Sequence, residues 1–194
     1  FNDFVGQRTP EAGYELAGTI QDGKTELGYG GGICQLSTMI YQSVVKADLQ
    51  VDERWPHQWP SSYADTGTDA AVDWGSQDFK FTNNSPYPVA LHSTYDVDNR
   101  IVKVQLYSKI DTSGSYIVLV GEVLSRSSAG TEYVANSSMA TGTSERTRDP
   151  HDGISATSYK VYYDANGNEI KREQYKDSYY AKINARVEVG VLNA

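Results

Sequence analysis

The chain has 194 residues, with 25 acidic and 17 basic side chains and a net charge of −8. That length allows one large domain, or a medium domain with a small one, and a core that needs no disulfide or metal to hold it. The acidic balance argues against a nucleic-acid partner, because neutralising phosphates requires clustered Lys and Arg. The single cysteine has no disulfide partner, and without a Cys/His cluster we expect neither a metal site nor a cofactor.

The N-terminal segment predicts a short helix followed by a long one. Thr9-Pro10-Glu11 places an N-cap residue, a proline and an acid where a helix begins, and we expect that helix to run through 14–17 and end near Asp22-Gly23. A glycine-rich loop follows at 28–32. Residues 34–47 contain neither Gly nor Pro, and their apolar residues recur at three- and four-residue steps, which predicts one long helix.

Beyond that helix the apolar period changes to two, which is typical of strands. The predicted strands cover residues 78–82, 89–92, 101–107, 116–123, 157–163, 169–173 and 186–189. Turns are predicted at Asp98-Asn99 and Asn166-Gly167, and Asn-Gly is the strongest local hairpin signal. The stretch 125–144 is rich in Ser, Gly and Thr, and we expect part of it to be a linker.

These patterns together predict an α+β fold in two parts. Residues 1–110 form a mixed N-terminal domain, with one long helix after the glycine-rich loop and an antiparallel sheet. Residues 111–194 form a smaller all-β C-terminal module.

The junction of the glycine loop with the long helix is the strongest chemical signal. Nucleotide-binding motifs do not match, because Ile33-Cys34 stands where a lysine or a further glycine is required. Cys34 is predicted at the helix N-terminus, where unpaired N–H groups and the helix dipole stabilise a thiolate. The dipole contributes only about 0.3–1 kcal/mol, so full activation requires an imidazole as well. The alternative is that Cys34 is a small buried side chain where the helix begins.

A stiff apolar loop supplies the candidate imidazole. His57 is flanked by two tryptophans and two prolines, which can fix the ring and exclude water. Asp69 is the candidate to orient the ring, although the spacing does not separate it from Asp73. Arg54 is suited to a substrate carboxylate. The alternatives are a packed loop histidine, two turn acids and a structural ion pair for Arg54.

The other two histidines are interpreted as structural. His92 lies in a predicted strand, and His151 lies in an acidic turn.

Several motifs recur in an order and spacing that resemble the VanW domain over about residues 1–92. They are Gly6-Gln7-Arg8-Thr9, Gly30-Gly31-Gly32-Ile33-Cys34-Gln35-Leu36-Ser37-Thr38, Glu53-Arg54 with Pro56-His57, Gly67 with Asp69-Ala70, and Asp78-Phe79-Lys80-Phe81. More loosely, the C-terminal hairpin resembles small β modules that follow VanW domains on Gram-positive cell-surface proteins and are associated with cell-wall glycan.

The resemblance implies a peptidoglycan L,D-transpeptidase that joins third stem-peptide residues through a cysteine thioester. It makes Cys34 the nucleophile and His57 the base, and Asp69 joins them as the candidate acid that the residue pattern already offered. Its partners would be stem peptides: a tetrapeptide donor and an amine acceptor. The predicted substrate-binding residues are Gly31, Gly32, Gln35, Arg54 and Tyr63, with backbone N–H groups of the 32–35 turn binding the oxyanion.

Two other functions stay open at this point. One is an L,D-carboxypeptidase, in which water resolves the thioester, and the other is a non-catalytic cell-wall-binding protein. We expect an extracellular, cell-wall-associated protein. Because the chain begins without Met or a signal peptide, we expect an anchor in a segment upstream.

Overall fold

The computed structural model describes residues 1–21, 24–109 and 113–192. It is an α+β structure, as predicted. The helices are α1 (Asn2–Val5) and α2 (Ile33–Lys46), with a 3-10 turn at Pro10–Ala12. The first six strands are β1 (Leu16–Gln21), β2 (Lys24–Tyr29), β3 (Gln50–Glu53), β4 (Lys80–Thr82), β5 (Ala90–Asp96) and β6 (Ile101–Tyr107). The last six are β7 (Tyr116–Ser127), β8 (Thr131–Ala140), β9 (Ser144–Arg148), β10 (Gly153–Tyr163), β11 (Glu169–Tyr180) and β12 (Ala185–Leu192).

Helix α2 is the long helix that the sequence predicts, and it forms the centre of the N-terminal part. It begins after Gly32, which takes the left-handed conformation at φ 90°. Its buried face carries Ile40, Tyr41, Val44 and Val45. Because these side chains recur at helical spacing, one face of α2 can pack against the sheets while the opposite face remains exposed to solvent.

The short helix predicted through residues 14–17 is wrong. Thr9 does cap a turn, accepting a hydrogen bond from the Ala12 amide, but that turn ends at Gly13, whose φ is 86°. The chain then enters β1, which pairs antiparallel with β2 so that Leu16 faces Tyr29. Pairing with a neighbouring strand outweighs the local helix signal. The predicted helix end at Asp22-Gly23 lies outside the described residues.

Two predicted hairpins are confirmed in the later part of the chain. Strands β5 and β6 pair antiparallel around a turn in which the Asp96 carboxylate accepts the Asn99 amide at 3.0 Å. Strands β10 and β11 pair around the Asn-Gly turn, where Gly167 has φ 82°.

The predicted partial linker at residues 125–144 is wrong, because most of it is strand. Strand β7 continues to Ser127, and β8 pairs in parallel with β12. Strand β9 pairs with the other edge of β12, giving the order β8-β12-β9. Because the partner strand is distant in sequence, local composition does not reveal this pairing.

The other C-terminal sheet has the order β11-β10-β7. Its strand β7 packs against the helical part through Leu119. One hydrophobic core cluster joins them. Its buried members are Ile40, Tyr41, Val44, Val45, Leu49, Val51, Ala70, Val72, Phe79 and Leu119. Leu119 belongs to β7, so the core extends past residue 110. The division of the chain at residue 110 stays a prediction, and packing crosses it.

Candidate active site

Cys34 is the second residue of α2 and is partly buried. Its thiol donates a hydrogen bond to the Val72 carbonyl at 3.3 Å. Its second polar neighbour is the His57 ring, on which the charge of Cys34 favours the protonated form. The two contacts suit different protonation states, because the carbonyl accepts from a thiol whereas an imidazolium pairs with a thiolate. Cys34 therefore has a partner on either side of a proton transfer.

The glycines of the loop before α2 serve different purposes. A Cβ on Gly31 would lie 2.5 Å from the Ala17 Cβ and 2.8 Å from the Gly18 carbonyl oxygen, so Gly31 allows the loop to press against β1. A Cβ on Gly32 would meet no atom within 4 Å. Of the two predicted substrate-binding glycines, Gly32 is therefore the one beside open space, whereas Gly31 is used for packing.

The backbone amides of this turn also differ in whether they already have a hydrogen-bond acceptor. The Ile33 amide donates to the Gly30 carbonyl, and the Gln35 amide donates to the Gly32 carbonyl, both at 3.1 Å. Within the part of the chain that the structure describes, the amides of Gly32 and Cys34 have no hydrogen-bond acceptor. Of the amides of the 32–35 turn that were predicted to bind an oxyanion, those of Ile33 and Gln35 are therefore already hydrogen-bonded within the turn.

The His57 ring is held by one carboxylate oxygen. Asp69 Oδ2 lies 2.6 Å from His57 Nδ1 and accepts the His57 backbone amide at 2.8 Å. Burial opposes ionisation of Asp69, but hydrogen bonds from His57 and Tyr180 and the charge of Arg54 outweigh it and lower its pKa to about 2. An ionised carboxylate can only accept, so Nδ1 carries a proton and Nε2 is the nitrogen left for chemistry.

The same surroundings favour the imidazolium. Burial of His57 lowers its pKa, but hydrogen bonds and charge from Asp69 and Cys34 raise it to about 9 overall. The side chain is 13% exposed, so solvent screens these interactions weakly. At neutral pH His57 is therefore a protonated ring whose Nδ1 lies against the Asp69 carboxylate.

Tyr63, predicted to contact substrate, lies directly against the ring. Its hydroxyl is 3.0 Å from His57 Nε2, and the two rings meet edge to face. Burial and the charge of Cys34 raise the pKa of Tyr63, so its hydroxyl stays neutral at physiological pH. Tyr63 therefore contacts the ring nitrogen of His57 that Asp69 leaves for chemistry.

Arg54 is not placed to bind a substrate carboxylate, contrary to the expectation from the sequence. Its side chain is 2% exposed, and its Nη2 donates to Asp69 Oδ1 at 2.8 Å. Its Nε donates to the Asp69 carbonyl at 2.5 Å. Arg54 is the structural ion-pair partner that the alternative interpretation described. Asp73 is exposed and accepts from the Ser76 hydroxyl, so Asp69 is the acid that meets the imidazole.

Two groups at this site were missed by sequence reasoning. The Tyr180 hydroxyl donates to Asp69 Oδ1 at 2.6 Å, and Ser178 Oγ accepts from Arg54 Nη1 at 2.7 Å. Both belong to β11. The only local signal is that positions 178 and 180 share one face of a strand, which by itself does not point to a site.

Over the described ranges of the chain, neither of the other two histidines is a hydrogen-bond partner of Cys34 or Asp69. His92 is exposed in β5, and His151 stacks on Trp59 with ring centroids 4.3 Å apart. Among the described residues, no cluster of His, Cys, Asp and Glu suits a metal ion. Within the same ranges, no helix has the length and apolar character needed to cross a membrane.

The fold and site together define an α+β protein with a cysteine–histidine–aspartate arrangement at a helix N-terminus. The profile of the family described as VanW like protein matches residues 1–107, more than half of the chain. The chain belongs to the VanW family.

A curated relative supports this assignment. It is the "Uncharacterized protein YoaR" of Bacillus subtilis (strain 168), with 40% identity over 93 residues, or 48% of this chain. The match covers 31% of the relative, so the chain spans less than a third of that protein's length.

Two solved structures resemble part of the chain. "IgA1 Protease G5 domain structure" is 19% identical, covers 40% of this chain and 93% of that chain, and has a TM-score of 0.28. "Crystal structure of HP0197-G5" is 16% identical, covers 39% of this chain and 95% of that chain, and has a TM-score of 0.22. Both scores are too low to assign a shared fold.

Proposed function

We propose that this protein is a peptidoglycan L,D-transpeptidase that works through a Cys34 thioester. The observation that carries the proposal is the grouping of Cys34 at the α2 N-terminus with His57, whose Nδ1 is held 2.6 Å from Asp69. A nucleophile, a base and a group that orients the base are the parts that covalent acyl transfer needs.

The reactive state of the proposed site is a thiolate–imidazolium pair. Asp69 and Cys34 both favour protonated His57, and an imidazolium stabilises a thiolate in return. The N-terminus of α2 adds a favourable contribution of about 0.3–1 kcal/mol. In that pair the Cys34 sulfur is the nucleophile and His57 carries the proton for the leaving group.

The first half-reaction releases the terminal residue of the donor. The Cys34 thiolate attacks the carbonyl carbon of the third stem-peptide residue, and the oxyanion forms beside the Gly32 and Cys34 amides. His57 Nε2 gives its proton to the departing amine, the C–N bond breaks, and D-Ala leaves. The product is a thioester on Cys34.

The second half-reaction forms the crosslink. The side-chain amine of a third residue from a neighbouring stem attacks the thioester carbonyl. Neutral His57 takes a proton from that amine, the C–S bond breaks, and the thiolate–imidazolium pair returns. The balance is one amide bond broken and one formed.

Family membership supports the substrate class and the location. The VanW resemblance implies action on cell-wall stem peptides, and we place the protein outside the cell in contact with the wall. A net charge of −8 suits an amine-bearing acceptor better than a polyanion.

Incubation with a disaccharide-tetrapeptide, followed by mass analysis of the products, tests the proposal. We expect a crosslinked dimer that has lost one D-Ala, together with a thioester adduct on intact protein. Tripeptide monomer without dimer would replace transpeptidation by carboxypeptidase activity. Unchanged substrate that still binds the protein would overturn catalysis and leave a wall-binding role.

The matched control is Cys34→Ala, which removes the sulfur but retains a small side chain at the helix start. It should bind substrate and give neither dimer nor adduct. Equal product with this variant would exclude Cys34 as the nucleophile.

A further inference from the structure

We propose that strand β11 completes the catalytic site, with Tyr180 and Ser178 acting as positioning residues for Asp69 and Arg54. This inference rests on the proposed function, because it concerns the same cysteine site. It extends the site beyond residues 1–107, to which the family profile is matched.

The Tyr180 hydroxyl bridges two parts of the loop that carries Asp69. It donates to Asp69 Oδ1 at 2.6 Å and accepts the Gly67 amide at 2.8 Å. The side chain is fully buried, at 0% exposure. A buried hydroxyl with both a donor and an acceptor partner holds them in one geometry, because losing either contact leaves a buried polar group unpaired.

Ser178 acts on the other half of the ion pair. It lies two residues before Tyr180 on the same buried face of β11, and its Oγ accepts from Arg54 Nη1 at 2.7 Å. Arg54 in turn donates to Asp69 Oδ1. Strand β11 therefore contacts both members of the Arg54–Asp69 ion pair, whose carboxylate holds His57.

The loop itself is seated on the same sheet by close backbone approach. A Cβ on Gly67 would lie 3.1 Å from the Thr157 carbonyl oxygen of β10. A Cβ on Gly121 of β7 would lie 2.1 Å from the Thr66 carbonyl oxygen. Two glycines, one on each side of the contact, allow the Asp69 loop to lie against the β11-β10-β7 sheet.

As a consequence, the two carboxylate oxygens of Asp69 bind different partners. Oδ1 is occupied by Arg54 and Tyr180, so Oδ2 remains for the ring and amide of His57. The sheet thereby fixes the orientation of the Asp69 carboxylate, and with it the position of Oδ2 against His57. Tyr180 does not touch the reacting sulfur, and its effect passes through Asp69 to the ring.

The test is Tyr180→Phe in the full chain, with Tyr179→Phe as the matched control. Tyr179 precedes it on the opposite face of β11 and is 68% exposed. Losing a hydrogen bond to a charged group corresponds to about a 10- to 100-fold change. We expect kcat to fall by that factor with KM unchanged, and alkylation of Cys34 by iodoacetamide in the folded protein to slow. Tyr179→Phe should match the wild type in both measurements.

The alkylation rate separates this proposal from the proposed function. If the wild type makes no product, slower alkylation in Tyr180→Phe alone still supports positioning, while the transpeptidase proposal fails. If Tyr180→Phe alkylates and turns over at the wild-type rate, the positioning role is overturned even when the enzyme is active.

A second variant covers the case in which Tyr180→Phe does not fold. Ser178→Ala removes the Arg54 acceptor from the same face of β11, and circular dichroism would verify its fold. We expect a smaller slowing of alkylation, about 3- to 10-fold. A folded Ser178→Ala protein that reacts at the wild-type rate would overturn the proposal.

Discussion

A single oxygen of Asp69 binds both the ring and the backbone of His57. Oδ2 lies 2.6 Å from Nδ1 and 2.8 Å from the His57 amide nitrogen. This two-point contact fixes the ring relative to its own backbone. It also keeps a proton on Nδ1, which leaves Nε2, on the opposite side of the ring, beside the Tyr63 hydroxyl.

Replacing His57 with Ala should slow the reaction of Cys34 with iodoacetamide by about 10-fold or more at pH 7. The physical reason is loss of the imidazolium that stabilises the thiolate. Mass spectrometry of the intact protein over time measures the rate. His92→Ala is the control, since His92 is exposed in β5, and it should react like the wild type. Equal rates in the two variants would show that His57 does not activate the sulfur.

Replacing Arg54 with Met should lower the free energy of unfolding by about 3 kcal/mol. The change leaves the Asp69 carboxylate buried with one of its charged partners missing, and both side chains of the pair are 2% exposed. Urea unfolding at pH 7 measures the loss. The control is Arg146→Met, which breaks a pair with Asp149 whose side chains are 60% and 75% exposed. An exposed pair contributes little, so this control should unfold like the wild type.

Stability should fall in acid through the protonation of Asp69. Its pKa is lowered from 3.8 to about 2 in the folded protein, so the unfolded state binds the proton more tightly. The contribution, on the order of 2 kcal/mol, is complete above pH 4 and is lost as the pH falls from about 4 to 2. Urea unfolding of the wild type at several pH values in this range measures the decline.

The matched variants for the acid experiment are Asp69→Asn and Asp73→Asn. Asn at position 69 removes the titrating group, so the decline between pH 4 and 2 should become shallower, while Asp73→Asn should retain the wild-type slope because Asp73 is exposed. Identical slopes in the two variants would contradict the assignment of this step to Asp69.

Adding a methyl group should distinguish the two central glycines of the loop. In Gly31→Ala the new Cβ would lie 2.5 Å from the Ala17 Cβ, so we expect a loss of about 1–3 kcal/mol from overpacking against β1. In Gly32→Ala the new Cβ meets open space, and the cost is that of a left-handed alanine, roughly 1 kcal/mol. Thermal unfolding of both variants measures the difference. A larger loss for Gly32→Ala would contradict the packing role of Gly31.

Local signals predicted the elements whose partners are close in the chain. Helix α2 follows from a run free of Gly and Pro, and the β5–β6 and β10–β11 hairpins follow from alternation around turn residues. The same reasoning failed at β1 and β8, where a paired strand replaces the predicted helix and linker. Propensity is a weak signal, and a hydrogen-bonded partner elsewhere in the chain outweighs it.

In the candidate site, too, local features were predicted correctly and long-range contacts were not. Cys34 could be placed at the start of a helix from the sequence, because the glycines and the helical period are local. The choice between Asp69 and Asp73 could not be made, because both acids occupy the same kind of segment. Arg54 was expected to meet substrate, and only its burial against Asp69 shows otherwise.

By itself, the sequence determined that the sulfur lies at the start of its helix, because backbone conformation acts over a few residues. It also showed that helix electrostatics alone are too weak to activate the thiol, so that an active Cys34 needs an imidazole. The tertiary structure alone decided which groups surround that imidazole. Tyr180 and Ser178 reach Asp69 and Arg54 because β11 packs beneath the loop that carries Asp69. Contacts between positions so far apart in the chain depend on how whole sheets pack together. Local sequence patterns do not predict that packing.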